Sequence, residues 1–129
     1  DNYGHSVGDI ILMRVAEVLK KIQNDNIFVA RYGGDEFIIY YVNMSDGAIM
    51  EKVAFIREEV EKIRLDMELS NLSVSQGIVN HVPISINRAW DYMMVADEAL
   101  YYVKGNGKNN ARLVHSLKEL KDQSWEKPF

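Results

Sequence analysis

Two runs rich in β-branched and aromatic residues, "IFVARY" at 27–32 and "EFIIYYV" at 36–42, stand on either side of Gly33, Gly34 and Asp35. With a glycine pair between them, such runs fold back on each other as an antiparallel hairpin, because glycine takes the positive φ that a tight turn demands. The hairpin therefore carries two adjacent carboxylates, Asp35 and Glu36, at its tip. Taken alone, this pair reads either as solvated turn residues or as the edge of a phosphate site that holds a metal ion.

Helical periods flank the hairpin. "DIILMRVAEVLKKIQ" at 9–23 sets Ile11, Val15, Val18 and Ile22 on one face, widened by Leu12 and Leu19, with Asp9 placed as a capping carboxylate. "SDGAIMEKVAFIREEVEKI" at 45–63 repeats the pattern through Ile49, Val53, Ile56, Val60 and Ile63, with Asp46 as its cap. "LSVSQGIV" at 72–79 alternates as a strand does, and Gly77 inside it marks a bulge or a close backbone approach. After a loop through Pro83, a third helix over 88–104 runs into the stop signal "GNGKNN"; "ARLVH" at 111–115 reads as a last strand, and 116–129 as a short helix and polar tail. The order α, β, β, α, β, α, β predicts an α/β or α+β sheet covered by helices.

At 129 residues, 47% of them apolar, the chain fits one globular domain with a real core. A net charge of −4 argues against a nucleic acid polymer as partner, since such binders concentrate basic surface. The absence of cysteine excludes disulfide frameworks and zinc–thiolate sites and fits a reducing, cytoplasmic setting. No apolar run approaches the roughly 18 to 20 residues of a membrane span, so a soluble chain is expected, with membrane contact only through other domains of a parent protein.

"RYGGDEF" at 31–37 is more than a turn when taken with "GHSVGD" at 4–9, "SVSQGI" at 73–78 and "ADEALYYVKGNGKN" at 96–109. These four blocks, in this order and spacing, resemble the GGDEF family of diguanylate cyclases over residues 1–115, leaving 116–129 as a tail or linker. The resemblance implies a nucleotidyl-cyclase and polymerase-palm-like fold, a ferredoxin-like central antiparallel sheet flanked by helices. It also implies a reaction: two GTP condense into cyclic di-GMP with loss of two pyrophosphates, in a homodimer, as part of bacterial second-messenger signalling.

Asp35 matches the family's metal-ligand position for magnesium (or manganese). Glu36 matches the second acidic position, beside the metal and the reacting 3′-hydroxyl. Gly33 and Gly34 match the pair whose lack of side chains lets the hairpin backbone approach the phosphates. Asp9 falls where the family recognises guanine, although by itself it reads as a helix cap. Lys104 and Lys108 fall at two basic positions that neutralise triphosphate charge; by themselves they read as solvated lysines at a helix C-terminus. His5 reads as a packing or capping loop residue rather than a catalytic base.

Three departures qualify the match. The family's first signature, an aspartate-rich strand end with a following asparagine, is not in the chain, which implies a piece of a longer protein starting inside the family's "N-D-x-x-G-H" motif. An Arg-x-x-Asp product-inhibition site is replaced by Asn24 and Ile27, so tight product inhibition is not expected there. Gln76 stands where an apolar residue is usual. The alternative to a cyclase is a catalytically silent module that binds GTP or cyclic di-GMP and regulates a partner or a fused phosphodiesterase domain.

Overall fold

The computed structural model describes residues 6–80 and 89–116 and divides into two compact units, Asp1–Leu72 and Ser73–Phe129. His5, the loop through Pro83 and the C-terminal helix expected beyond Ser116 lie outside the described residues.

The first unit runs α1 (Val7–Ile22), β1 (Ile27–Gly33), β2 (Glu36–Tyr41) and α2 (Asp46–Asp66). The α2 stripe does what its period predicts, and the α1 stripe does so only in its C-terminal half, Ile11, Leu12 and Val15 being half-buried. Val18, Leu19 and Ile22 of α1 are buried, as are Ile49, Val53, Ile56, Val60 and Ile63 of α2, where every expected core position is at most 3% exposed. Across the α1–α2 seam, Arg14 pairs with Asp66 at 2.6 Å and Lys21 with Glu59 at 3.2 Å. The Glu59 carboxyl is held below its ordinary range by the hydrogen bond from Lys62 and then by that from Lys21. Such exposed pairs contribute little each.

The helix caps differ from expectation. Ser6, not Asp9, caps α1, its Oγ accepting from the Asp9 N–H at 3.2 Å; Ser45, not Asp46, caps α2, its Oγ accepting from Ala48 N–H at 3.2 Å. The reason is geometric: the cap oxygen must lie just outside the first turn and reach an amide three residues on. Asp9 and Asp46 sit inside that turn instead, where negative charge complements the helix dipole.

β1 and β2 pair antiparallel, Ile27 opposite Tyr41 through Arg31 opposite Phe37. Alternation separates the faces of β1: Ile27 is 1% exposed, whereas Phe28 and Tyr32 are more than half exposed.

The second unit is β3 (Gln76–Val79), α3 (Ala89–Gly105) and β4 (Ala111–Val114), with β3 and β4 parallel and in register from Gln76 opposite Ala111 to Val79 opposite Val114. A helix between two parallel strands is the connection that such pairing requires. β3 packs directly on α3. A Cβ at Gly77 would lie 2.2 Å from the Leu100 amide nitrogen and 2.3 Å from the Ala96 carbonyl oxygen, so the close approach read from the sequence is real. The strand starts at Gln76 rather than Leu72. Among the residues before it, Ser75 spends its hydroxyl on the Asn109 N–H at 3.1 Å, tying down the loop that follows α3. The chain is thus α+β, with an antiparallel hairpin and a parallel β-α-β unit; among the described residues no ladder joins the two pairs. No described helix is long and apolar enough to cross a membrane.

Candidate functional site

The hairpin tip follows from its local sequence. The register shifts between Arg31 and Gly33, so Tyr32 is an extra, bulged residue, and Gly33 then pairs with Glu36 across a two-residue turn of Gly34 and Asp35. Gly34 has φ +50°, the left-handed region a first turn position requires here and glycine occupies without strain. The bulge increases local twist and turns the tip. Asp35 and Glu36 are brought side by side at this tip, and Gly33 through Glu36 are all exposed.

Gly33 is unlike Gly34. Its φ lies outside the left-handed region and a Cβ there would meet no atom within 4 Å. Among the described residues, nothing in the packing asks for glycine at this position.

Arg31 was not singled out by sequence reasoning, yet it is the side chain that braces the tip. Its Nε and Nη2 both donate to the Gly34 carbonyl oxygen, at 2.9 and 2.5 Å. The only signal was its place four residues before Asp35, which does not by itself reveal a bond to the backbone. Arg31 and its cross-strand partner Phe37 also line a groove of about 280 Å³ between α1 and the hairpin, together with Leu12, Ala16, Lys20 and Val29. Neither Asp9 nor the tip carboxylates line it.

Asp9 is exposed in the first turn of α1, within the same unit as the tip. Lys104 and Lys108 belong to the second unit. Lys104 lies in the last turn of α3, and Lys108 follows in a reversal where Gly107, Lys108 and Asn109 have φ of 101°, 59° and 48°. The Lys108 N–H closes that reversal on the Val103 carbonyl at 3.1 Å, and both lysine side chains are exposed. Ser6, Ser75 and Arg31 are therefore the supporting residues that the sequence left unmarked.

Among the described residues, no group of three or more His, Cys, Asp or Glu side chains is placed to hold a metal ion. The donor set at the tip, two adjacent exposed carboxylates, nonetheless fits magnesium. That ion is commonly held by one or two carboxylates plus substrate phosphates and waters rather than by a complete protein cage.

The model of the diguanylate cyclase GGDEF domain matches residues 1–110. The chain belongs to the GGDEF family. This GGDEF chain is 37% identical over 115 residues to Diguanylate cyclase A of Treponema denticola, a match covering 88% of the chain and 31% of that protein. It is 36% identical over 122 residues to Diguanylate cyclase DosC of Escherichia coli K12, covering 88% of the chain and 25% of that protein. The chain thus spans less than a third of the length of these curated relatives. Among solved structures, the GGDEF domain of DgcB from Caulobacter crescentus, in complex with c-di-GMP, superposes with a TM-score of 0.68 at 26% identity, covering 88% of this chain and 68% of that one. The GGDEF fold expected from the four sequence blocks is the fold observed.

Proposed function

We propose that this GGDEF chain is a diguanylate cyclase domain, condensing two GTP into cyclic di-GMP and two pyrophosphates as a homodimer. The observation that carries the reading is the open hairpin tip, where Asp35 and Glu36 stand together beyond a glycine that the fold itself does not need. The names of the curated relatives and the c-di-GMP held by the DgcB domain support it.

In this mechanism Asp35 and Glu36 would hold magnesium, which, when bound, would supply charge neutralisation and polarisation of the phosphate. Glu36 serves as the acceptor for the proton of the 3′-hydroxyl. The freed oxygen attacks the α-phosphorus of the nucleotide on the facing protomer in line, the bond to the bridging oxygen breaks, and pyrophosphate leaves. Repetition in the opposite sense closes the ring. Gly33 and Gly34 let the backbone approach the phosphates, and Lys104 and Lys108 neutralise triphosphate charge. Asp9 accepts hydrogen bonds from guanine N1 and N2, which adenine does not offer. Positioning and charge compensation supply most of the acceleration.

Feedback by product at the hairpin base is absent from this reading. Ile27 is 1% exposed in the core, and Asn24 is bridged to it by paired backbone hydrogen bonds while its side chain accepts from the Asn26 N–H at 2.7 Å. Neither offers a charged contact for a phosphodiester.

The deciding measurement is magnesium-dependent conversion of GTP, read as cyclic di-GMP by mass spectrometry, on the chain and on a form extended at its N-terminus. Product that falls about 10²- to 10⁴-fold or more in Glu36→Gln is the expected result for loss of a proton acceptor at the reacting hydroxyl. No product from either form, with GTP still raising the melting temperature, replaces the cyclase by a nucleotide-binding regulatory module.

A further inference from the structure

The Gly34 carbonyl lies in the turn, where the β1–β2 ladder supplies no donor, and two nitrogens of one guanidinium converge on it. Arg31 makes no ion pair among the described residues, so its charge is not taken up by a carboxylate. Its position on β1 is fixed by the ladder through its pairing with Phe37, whereas Tyr32, Gly33 and Gly34 between it and the carboxylates are a bulge and two glycines. A segment of that composition has little intrinsic stiffness. The fork from Arg31 is a side-chain bond that connects the ladder to the turn.

We propose that Arg31 is a positioning residue for the tip carboxylates, acting through the Gly34 carbonyl to hold the Gly34–Asp35 turn so that Asp35 and Glu36 present a fixed pair of ligands. This rests on the cyclase reading for its consequence in turnover, but the metal-binding consequence stands apart from it. Lysine cannot replace arginine here, because a single ammonium on a flexible stem does not reproduce a planar fork. A displacement of reacting groups by about 1 Å costs on the order of 10²-fold in rate.

The test compares wild type, Arg31→Lys and Arg31→Ala in the full chain by three readouts. Manganese titration followed by broadening of the Gly34 to Phe37 amide signals reads metal affinity without turnover; both variants are expected to need about tenfold more metal. Affinity for a non-hydrolysable GTP analogue without divalent metal should stay within about threefold of wild type. Cyclic di-GMP formation should fall about 10²-fold in both variants. Wild-type metal affinity in Arg31→Lys would overturn the proposal, since charge alone would then suffice. A loss of analogue affinity that matches the loss of turnover would also overturn it, by making Arg31 a phosphate contact. Should the variants fail to fold, the wild-type Arg31 Nε–H signal decides: slow exchange with solvent supports the fork, free exchange removes it. Wild-type protein that binds manganese but makes no product defeats the cyclase reading and leaves the Arg31 test standing.

Discussion

Gly77 and Gly33 are both glycines in strands beside signature residues, and the structure uses them in opposite ways. At Gly77 the backbone of α3 is so close that a Cβ would sit 2.2 Å from the Leu100 nitrogen; at Gly33 a Cβ would meet nothing within 4 Å. One glycine is required by the protein's own packing. The other is required, if at all, by something the protein binds. The pair separates stability from function in a way that single substitutions can read.

The largest effect is expected at Gly77. In Gly77→Ala the clash is with backbone atoms of α3, which cannot move aside as a flexible side chain would, so β3 must lift from the helix. Destabilisation of about 3 kcal/mol or more is expected, at the upper end for overpacking. Urea unfolding of the variant checks it. A loss under about 1 kcal/mol would show that α3 and β3 separate easily and would weaken the contrast with Gly33.

The sequence showed that both positions were special but not why. A glycine inside a strand pattern signals a bulge or close approach, and a glycine pair between strands signals a turn; neither pattern tells which glycine a neighbour crowds. The α2 stripe was legible to the residue because a period of 3.6 leaves one solution for its buried face. The hairpin was legible because two β-rich runs and a glycine pair leave one pairing, and the place of Asp35 and Glu36 at its tip followed because they are contiguous with that pair. The caps were missed, as serine followed by an acid offers two oxygens of similar reach and only backbone geometry chooses between them. Arg31 was missed for a related reason: a bond from side chain to backbone has no residue partner to mark it.

A second effect contrasts the two ends of β2. Glu36 is exposed at the tip, whereas at the base the Tyr41 hydroxyl is enclosed with no hydrogen-bond partner among the described residues, and burial pushes its pKa from 10.0 up to about 12. The folded-state value is raised, so Tyr41 has no effect on the pH dependence well below 10. Between 10 and about 12 the unfolded chain loses this proton and the folded chain keeps it, and stability falls as pH rises. The shift corresponds to at most about 2.7 kcal/mol, less for a ring that is only half-buried. Tyr41→Phe should remove that part of the alkaline slope in urea melts at pH 9–11 and leave stability at pH 7 equal or raised, because an unpaired buried hydroxyl is lost. A clear loss at pH 7 would mean the hydroxyl has a partner.

Gly34→Ala comes next. Alanine at φ +50° carries a left-handed backbone penalty of about 1 kcal/mol, with no steric clash to add to it. Gly34→Asn should cost less, as asparagine tolerates this region better. If alanine and asparagine cost the same, the turn has changed type rather than borne the strain.

The smallest effect on stability, and the sharpest test of the comparison, is Gly33→Ala. Gly33 ends β1 with a φ outside the left-handed region and no described atom near an added Cβ, so a methyl group removes some freedom from the unfolded chain and strikes none of the described residues in the folded one. Unfolding free energy should stay within about 0.5 kcal/mol of wild type. If the open space serves a triphosphate, the same methyl group occupies it. Affinity for GTP should then fall about tenfold or more while the melting temperature in the absence of nucleotide holds, a loss of the order of 1.4 kcal/mol in binding set against none in folding. Calorimetric titration and thermal melts on one sample measure both. Unchanged affinity would move the phosphates away from β1 and leave Gly33 without a physical reason. A loss of stability comparable to that of Gly77→Ala would erase the distinction between the two glycines.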